Sequence, residues 1–207
     1  MTVQWDLVVL VADADAEAAL KALLAERVAA LNIRPITFQI IRDPDHDAGV
    51  FTRAHDLLRP YLRQVAYALV LLDREGSGVE HRSAPDIELE LEQRLWRNGW
   101  LDVNEAPRAS AIVLDPELEI WVWSRSPHVA EILGLSPDVL QDLLSSFALA
   151  SSGKPQRPKE AMYAALRRSK RPLSASIFRE LAVRVSLRSE ERAFDKLRQT
   201  LQLWFLV

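Results

Sequence analysis

The feature that most constrains this chain of 207 residues is an alternation running through its first 115 residues. Short apolar runs with the length of buried strands alternate with stretches whose apolar residues recur at helical spacing. The runs are Asp6–Ala12, Pro35–Ile41, Ala66–Leu72 and Ala109–Leu114. Between them, Asp15–Leu31, Phe51–Gln64 and Pro85–Asn98 carry helical stripes, the last with Gly99 at its stop. This predicts an α/β fold: a mostly parallel four-stranded sheet flanked by helices. The rest of the chain reads as helices only. Ser126-Pro127 and Ser136-Pro137 open helices at His128–Leu133 and Asp138–Phe147. After the linker-like Ser151–Pro158 come Lys159–Arg168, Ser174–Ser186 and Glu190–Leu203. The expected organisation is an α/β domain over residues 1–125 and a helical C-terminal region over 126–207.

The chain has no cysteine, which excludes disulfides, thiol catalysis and cysteine-ligated zinc or iron–sulfur centres. No apolar run reaches the ~18–20 residues of a membrane span, and Met1–Leu7 lacks a basic leader region. A cytoplasmic protein with no membrane partner is expected. The charge is split. Residues 1–150 hold 24 acidic and 13 basic side chains, whereas 151–207 hold 5 and 13. Either the two parts dock on each other, or the basic end meets an acidic partner.

All four strands run into acid. Asp13, Asp15 and Glu17 follow the first, Asp43, Asp45 and Asp47 the second, Asp73 and Glu75 the third, and Asp115, Glu117 and Glu119 the fourth. Parallel strands bring those ends to one edge of the sheet, where open α/β sheets bind ligands. Two like charges ~4 Å apart cost ~4 kcal/mol at an effective dielectric of 20. Such an edge therefore calls for a cation, shared protons or interleaved bases. Hard divalent cations take oxygen ligands, so Mg²⁺ or Mn²⁺ fits this chemistry, which polarises phosphoryl groups and activates water. Helix capping alone also explains Asp13, Asp15 or Glu117.

Other chemistries fall away. Gly76-Ser77-Gly78 lacks the spacing of a nucleophile elbow, Gly153-Lys154-Pro155 is not a phosphate-binding loop, and no G-x-G-x-x-G follows the first strand. His46, His55, His81 and His128 show no metal-ligand spacing, although His46 and His81 adjoin the acidic loops.

An acid after the first strand, a D-x-D-type pair after a later one and a further acid form the pattern of the TOPRIM domain, which this chain resembles. VLVADADAEAAL, RDPDHDAGVFTRAHDLLRPYL, ALVLLDREGSG, DPELEIWVWSRSPHVAEILG and RPKEAMYAALRRSKRP carry a closer resemblance. They are similar to the small TOPRIM-like component of bacterial methylation-associated defence systems. The resemblance implies metal ligands at Asp73 and Glu75, with Asp13 as ligand or general base. Glu17 would support Asp13, and Glu119, in the Glu119-Ile120-Trp121 segment, would complete the catalytic set. The chain departs from the family at three positions. Asp13 stands for the usual glutamate, Ala14 where glycine is common, and Glu75 for the second aspartate.

The densest basic run contains Arg167, Arg168, Lys170 and Arg171. It could hold nucleic-acid phosphates or simply cap and solvate helix ends. Two functions are thus expected from different classes. One is a metal-dependent nuclease-like subunit of a defence system. The other is a non-catalytic module that keeps a degenerate fold for assembly with that system's other proteins. A third reading places a phosphate-bearing small nucleotide at Gly76–Gly78.

Overall fold

The structure, a computed structural model, describes residues 4–124, 126–185 and 191–207. It is α/β with one four-stranded sheet in the order β2-β1-β3-β4, all pairs parallel. The strands are β1 (Trp5–Val11), β2 (Phe38–Arg42), β3 (Val65–Asp73) and β4 (Ala109–Leu114). Crossover helices α1 (Ala14–Glu26), α3 (His46–Leu58) and α4 (Ala84–Arg97) join them, and a short α2 (Val28–Leu31) follows α1. The later helices are α5 (Pro127–Leu133), α6 (Pro137–Ser145), α7 (Pro158–Ser169), α8 (Ala175–Arg184) and α9 (Arg192–Phe205). Ser186 and Glu190, the ends expected for the last two helices, lie outside the described residues.

The continuous apolar runs become strands because both faces of the sheet are covered. Leu7, Val9 and Val11 point into one apolar cluster with α1 and the C-terminal helices, while Val8 and Leu10 point into another with α3 and α4. The first cluster runs unbroken from β1 to Phe205, so residues on both sides of position 125 share it. The aromatic ring of Trp204 stacks on Tyr67 at 4.7 Å, which fixes the apolar C-terminal segment to β3.

The stripe expected over Asp15–Leu31 is broken at Arg27. Its guanidinium leaves the helix surface to donate to the carbonyls of Ala182 and Val185, at 2.9 and 3.2 Å, and of Val183. Those are carbonyls at the C-terminal end of α8, which have no intrahelical donor. At the other end of the helical region, the Pro116–Trp123 segment that follows β4 is a tight 3₁₀ turn at Leu118–Trp121.

The two edges of the sheet differ. On β4 the outward groups belong to Ala109, Ala111 and Val113. Trp96 Nε1 donates to Ala109 O, Ala111 N–H to Glu92 and Val113 N–H to Glu88, and Arg192 donates to Val113 O. Arg192 and Lys196 in turn grip Glu88 and Glu92 at 2.8–3.1 Å. Side chains thus take the place of a further strand. β2, on the opposite edge, has no such cover among the described residues.

Candidate metal centre

The strand order reverses direction between β1 and β3, so the loops leaving their carboxyl ends diverge and open a crevice. Asp73, the last residue of β3, stands at this end of the sheet, on one of its two central strands. The chain after β4 passes through a cis Asp115–Pro116 peptide and brings Glu117 and Glu119 alongside. One carboxylate oxygen from each of Asp73, Glu117 and Glu119 lies within 4.8 Å of the others. Glu119 is 3% exposed and Glu117 8%, whereas Asp73 is half-buried.

Further acids surround the three. Asp47, in the first turn of α3, accepts the backbone N–H of Asp73 at 2.7 Å. Asp13 caps α1, its Oδ1 accepting from Asp15 and Ala16 N–H at 3.0 and 2.9 Å. The opposing charge comes from the helical region. Lys159, near the start of α7, donates its backbone N–H to Glu117 at 2.9 Å and holds its ammonium 4.0 Å from the same carboxylate. Trp123 Nε1 donates to Pro158 O at 2.9 Å and locks that end of α7 beside the acids.

The electrostatics follow from this crowding. Burial pushes the Glu119 carboxyl up to about 7, against the pull of Lys159. Asp73 lies well above the usual carboxylate range, through burial and then the charges of Asp47 and Glu119. Burial likewise raises Asp15, Asp47 and Glu117. Burial would lower the Lys159 ammonium, but Glu119, Asp73 and Glu117 hold it above its ordinary value. Three converging carboxylates with one half-buried cation are a hard-oxygen donor set short of positive charge.

The sequence-expected residues divide accordingly. Asp73 and Glu119 belong to the converging set. Asp13 stands close enough to raise Asp47 and Asp73 but spends Oδ1 on its cap. Glu75 is not in the set, and the third carboxylate is Glu117. Glu17 pairs with Arg42 at 3.0 Å across a crevice of ≈ 750 Å³ between the ends of β1 and β2. Lys159 was legible only as part of the basic tail, and its role needs the tertiary fold. Asp43 is buried and paired with Arg53. It leaves no room for a side chain at position 49, where a Cβ would fall 2.6 Å from its Cγ.

No protein-family model matches the chain, and neither a curated protein nor a solved structure is significantly similar to it. The chemistry of the site therefore rests on its own residues.

The basic run is exposed at Arg167, Arg168, Lys170 and Arg171, at and just beyond the end of α7, and Arg171 also donates to Ile132 O. Gly76 and Gly78 already direct their N–H groups onto Glu80, each at 3.0 Å, which leaves them no phosphate to cradle. Among the described residues no helix is long and apolar enough to cross a membrane.

Proposed function

We propose that the protein is a metal-dependent phosphoryl-transfer component that acts on nucleic acid. The observation that carries this is the convergence of Asp73, Glu117 and Glu119 at the topological switch point, with two of the three carboxylates buried. These three residues would hold Mg²⁺ or Mn²⁺. Such an ion, when bound, polarises a phosphoryl oxygen and lowers the pKa of water. The chain's own groups supply the rest. Asp13 keeps Oδ2 outside its capping bonds and takes the proton of the attacking water. Asp47 fixes the backbone of Asp73, and Lys159 offsets charge on the set. Arg167, Arg168 and Lys170 sit at the far end of α7, about 17 Å away at ~1.5 Å per residue, where they can hold phosphates remote from the reacting one. Membership of a bacterial defence system, and action beside its other proteins in the cytoplasm, rest on the sequence resemblance alone.

A non-catalytic assembly module is the competing reading. It is favoured by Glu75 standing outside the converging set and by Arg171 being spent on the helical region. Titration calorimetry with Mn²⁺ and Mg²⁺ on the native chain and on Asp73→Ala separates the two. Binding that the substitution abolishes, with metal-dependent cleavage of DNA or RNA, is the expected result. A folded native chain that binds neither ion, alone or with nucleic acid present, moves the conclusion to the assembly module.

A further inference from the structure

The sheet has one closed edge and one open edge, and the open edge has a self-complementary sequence. The register of β2 on β1 decides which groups are free. Leu7 N–H donates to Thr37 O and Asp43 N–H to Val11 O, so residues 37, 39, 41 and 43 face β1. Phe38, Ile40 and Arg42 therefore turn their N–H and C=O groups outward. No described residue hydrogen-bonds to those groups, and among the described residues β1 and α1 pack most closely on the strand. An apolar edge in this state is a template for another strand.

We propose that a second copy of this chain pairs with β2, antiparallel, about a two-fold axis at Ile40. Three observations select this occupant. First, the outward groups fall on alternate residues, so with Ile40 opposite its own copy, Phe38 meets Arg42 and Arg42 meets Phe38, all in hydrogen-bonded pairs. Second, the side chains and charge agree. Opposed residues share a face, which puts Ile40 on Ile40 at the centre and each Arg42, whose guanidinium Glu17 of its own chain holds at 3.0 Å, opposite the partner copy's aromatic residue. Arg42, the only charged residue among the three, is exposed. The two-fold keeps the two copies of it roughly 13 Å apart along the strands, at ~3.4 Å per residue. Third, β4 is sealed by Glu88, Glu92, Arg192 and Lys196, so a copy added at β2 offers no further edge. The assembly closes as a dimer with one continuous sheet and cannot grow into a filament.

The interface is small, which places the association in the range of transient complexes. The test is the mass of the full chain by sedimentation and light scattering at tens to hundreds of micromolar, beside Ile40→Pro and Ile40→Val. Residue 40 faces itself, so proline removes both bonds of the central pair, while its own sheet loses none because the Ile40 N–H points outward. The expected result is a species of twice the 23.4 kDa chain mass for the native protein and Ile40→Val, with Ile40→Pro weakened at least about tenfold. A native chain that stays monomeric overturns the proposal, as does a dimer that a folded Ile40→Pro retains. Should Ile40→Pro not fold, hydrogen exchange on the native chain decides. Amides 38, 40 and 42 that gain protection with concentration support the pairing, and amides indifferent to concentration overturn it.

Discussion

Glu119 illustrates what the site costs the fold one residue at a time. Its carboxyl is 3% exposed and titrates near 7 instead of the ordinary 4.5. A folded-state pKa raised in this way means that the native form binds the proton more tightly than the unfolded chain does. The associated stability is fully present below pH 4.5 and is lost as pH rises through 7. Between pH 5 and 8 the loss is about 2–3 kcal/mol, at ~1.4 kcal/mol per unit over a little under two units. Glu119→Gln removes the ionisation. The stability of the native chain relative to this variant is expected to fall by about that amount from pH 5 to pH 8, read by urea unfolding at both values. Mn²⁺ at pH 8 should restore the native chain and leave Glu119→Gln unchanged. Equal pH profiles for the two proteins would show that Glu119 ionises in the folded chain as readily as in the unfolded one.

The elements themselves were legible because strand formation here is governed by apolar runs and helix formation by stripes, and both lie in the local sequence. Ala109–Leu114 coincides with β4, and Pro85–Asn98 lies within a residue of α4. What was not legible is how elements are finished by residues distant in sequence. Glu88 and Glu92 stand four apart beside the Ile87–Leu91–Leu95 stripe with nothing in the local sequence to single them out, yet they serve as the missing neighbour of β4. Arg27 breaks a helical stripe for carbonyls some 155 residues away. Glu88 is 4% exposed and holds Val113 N–H, Arg192 and Lys196 together. Glu88→Ala should therefore cost about 2–3 kcal/mol, below the range for a fully buried pair because both cations keep contact with water. Glu88→Gln, which can still accept from Val113, should cost less. Urea midpoints measure both, and a Glu88→Ala loss under ~0.5 kcal/mol would place the clamp among ordinary surface pairs.

At the scale of the whole molecule, the charge split resolves largely into internal docking. Arg179 pairs with Glu26, Arg192 and Lys196 with Glu88 and Glu92, and Lys159 faces Glu117. The acidic edge was legible from strand endings, because parallel strands put their ends together whatever the loops do. Which acids converge was not, since the turn after β4 selects Glu117 over Glu75. The cation opposite them comes from α7, beyond the linker-like stretch, so the centre is built jointly by the sheet and the helical region. This makes Lys159 a competitor for the position a divalent ion would neutralise. Its ammonium lies 4.0 Å from Glu117 and is drawn further by Glu119 and Asp73. The full pair energy of ~4 kcal/mol at a dielectric of 20 is reduced by solvent, because the side chain is 42% exposed. Lys159→Met keeps the stem and deletes the charge. It should tighten Mn²⁺ binding by about tenfold in calorimetry, ~1.4 kcal/mol, while lowering the stability of the metal-free chain at pH 8. Unchanged or weaker binding would mean that Lys159 supports the carboxylates without competing for their cation.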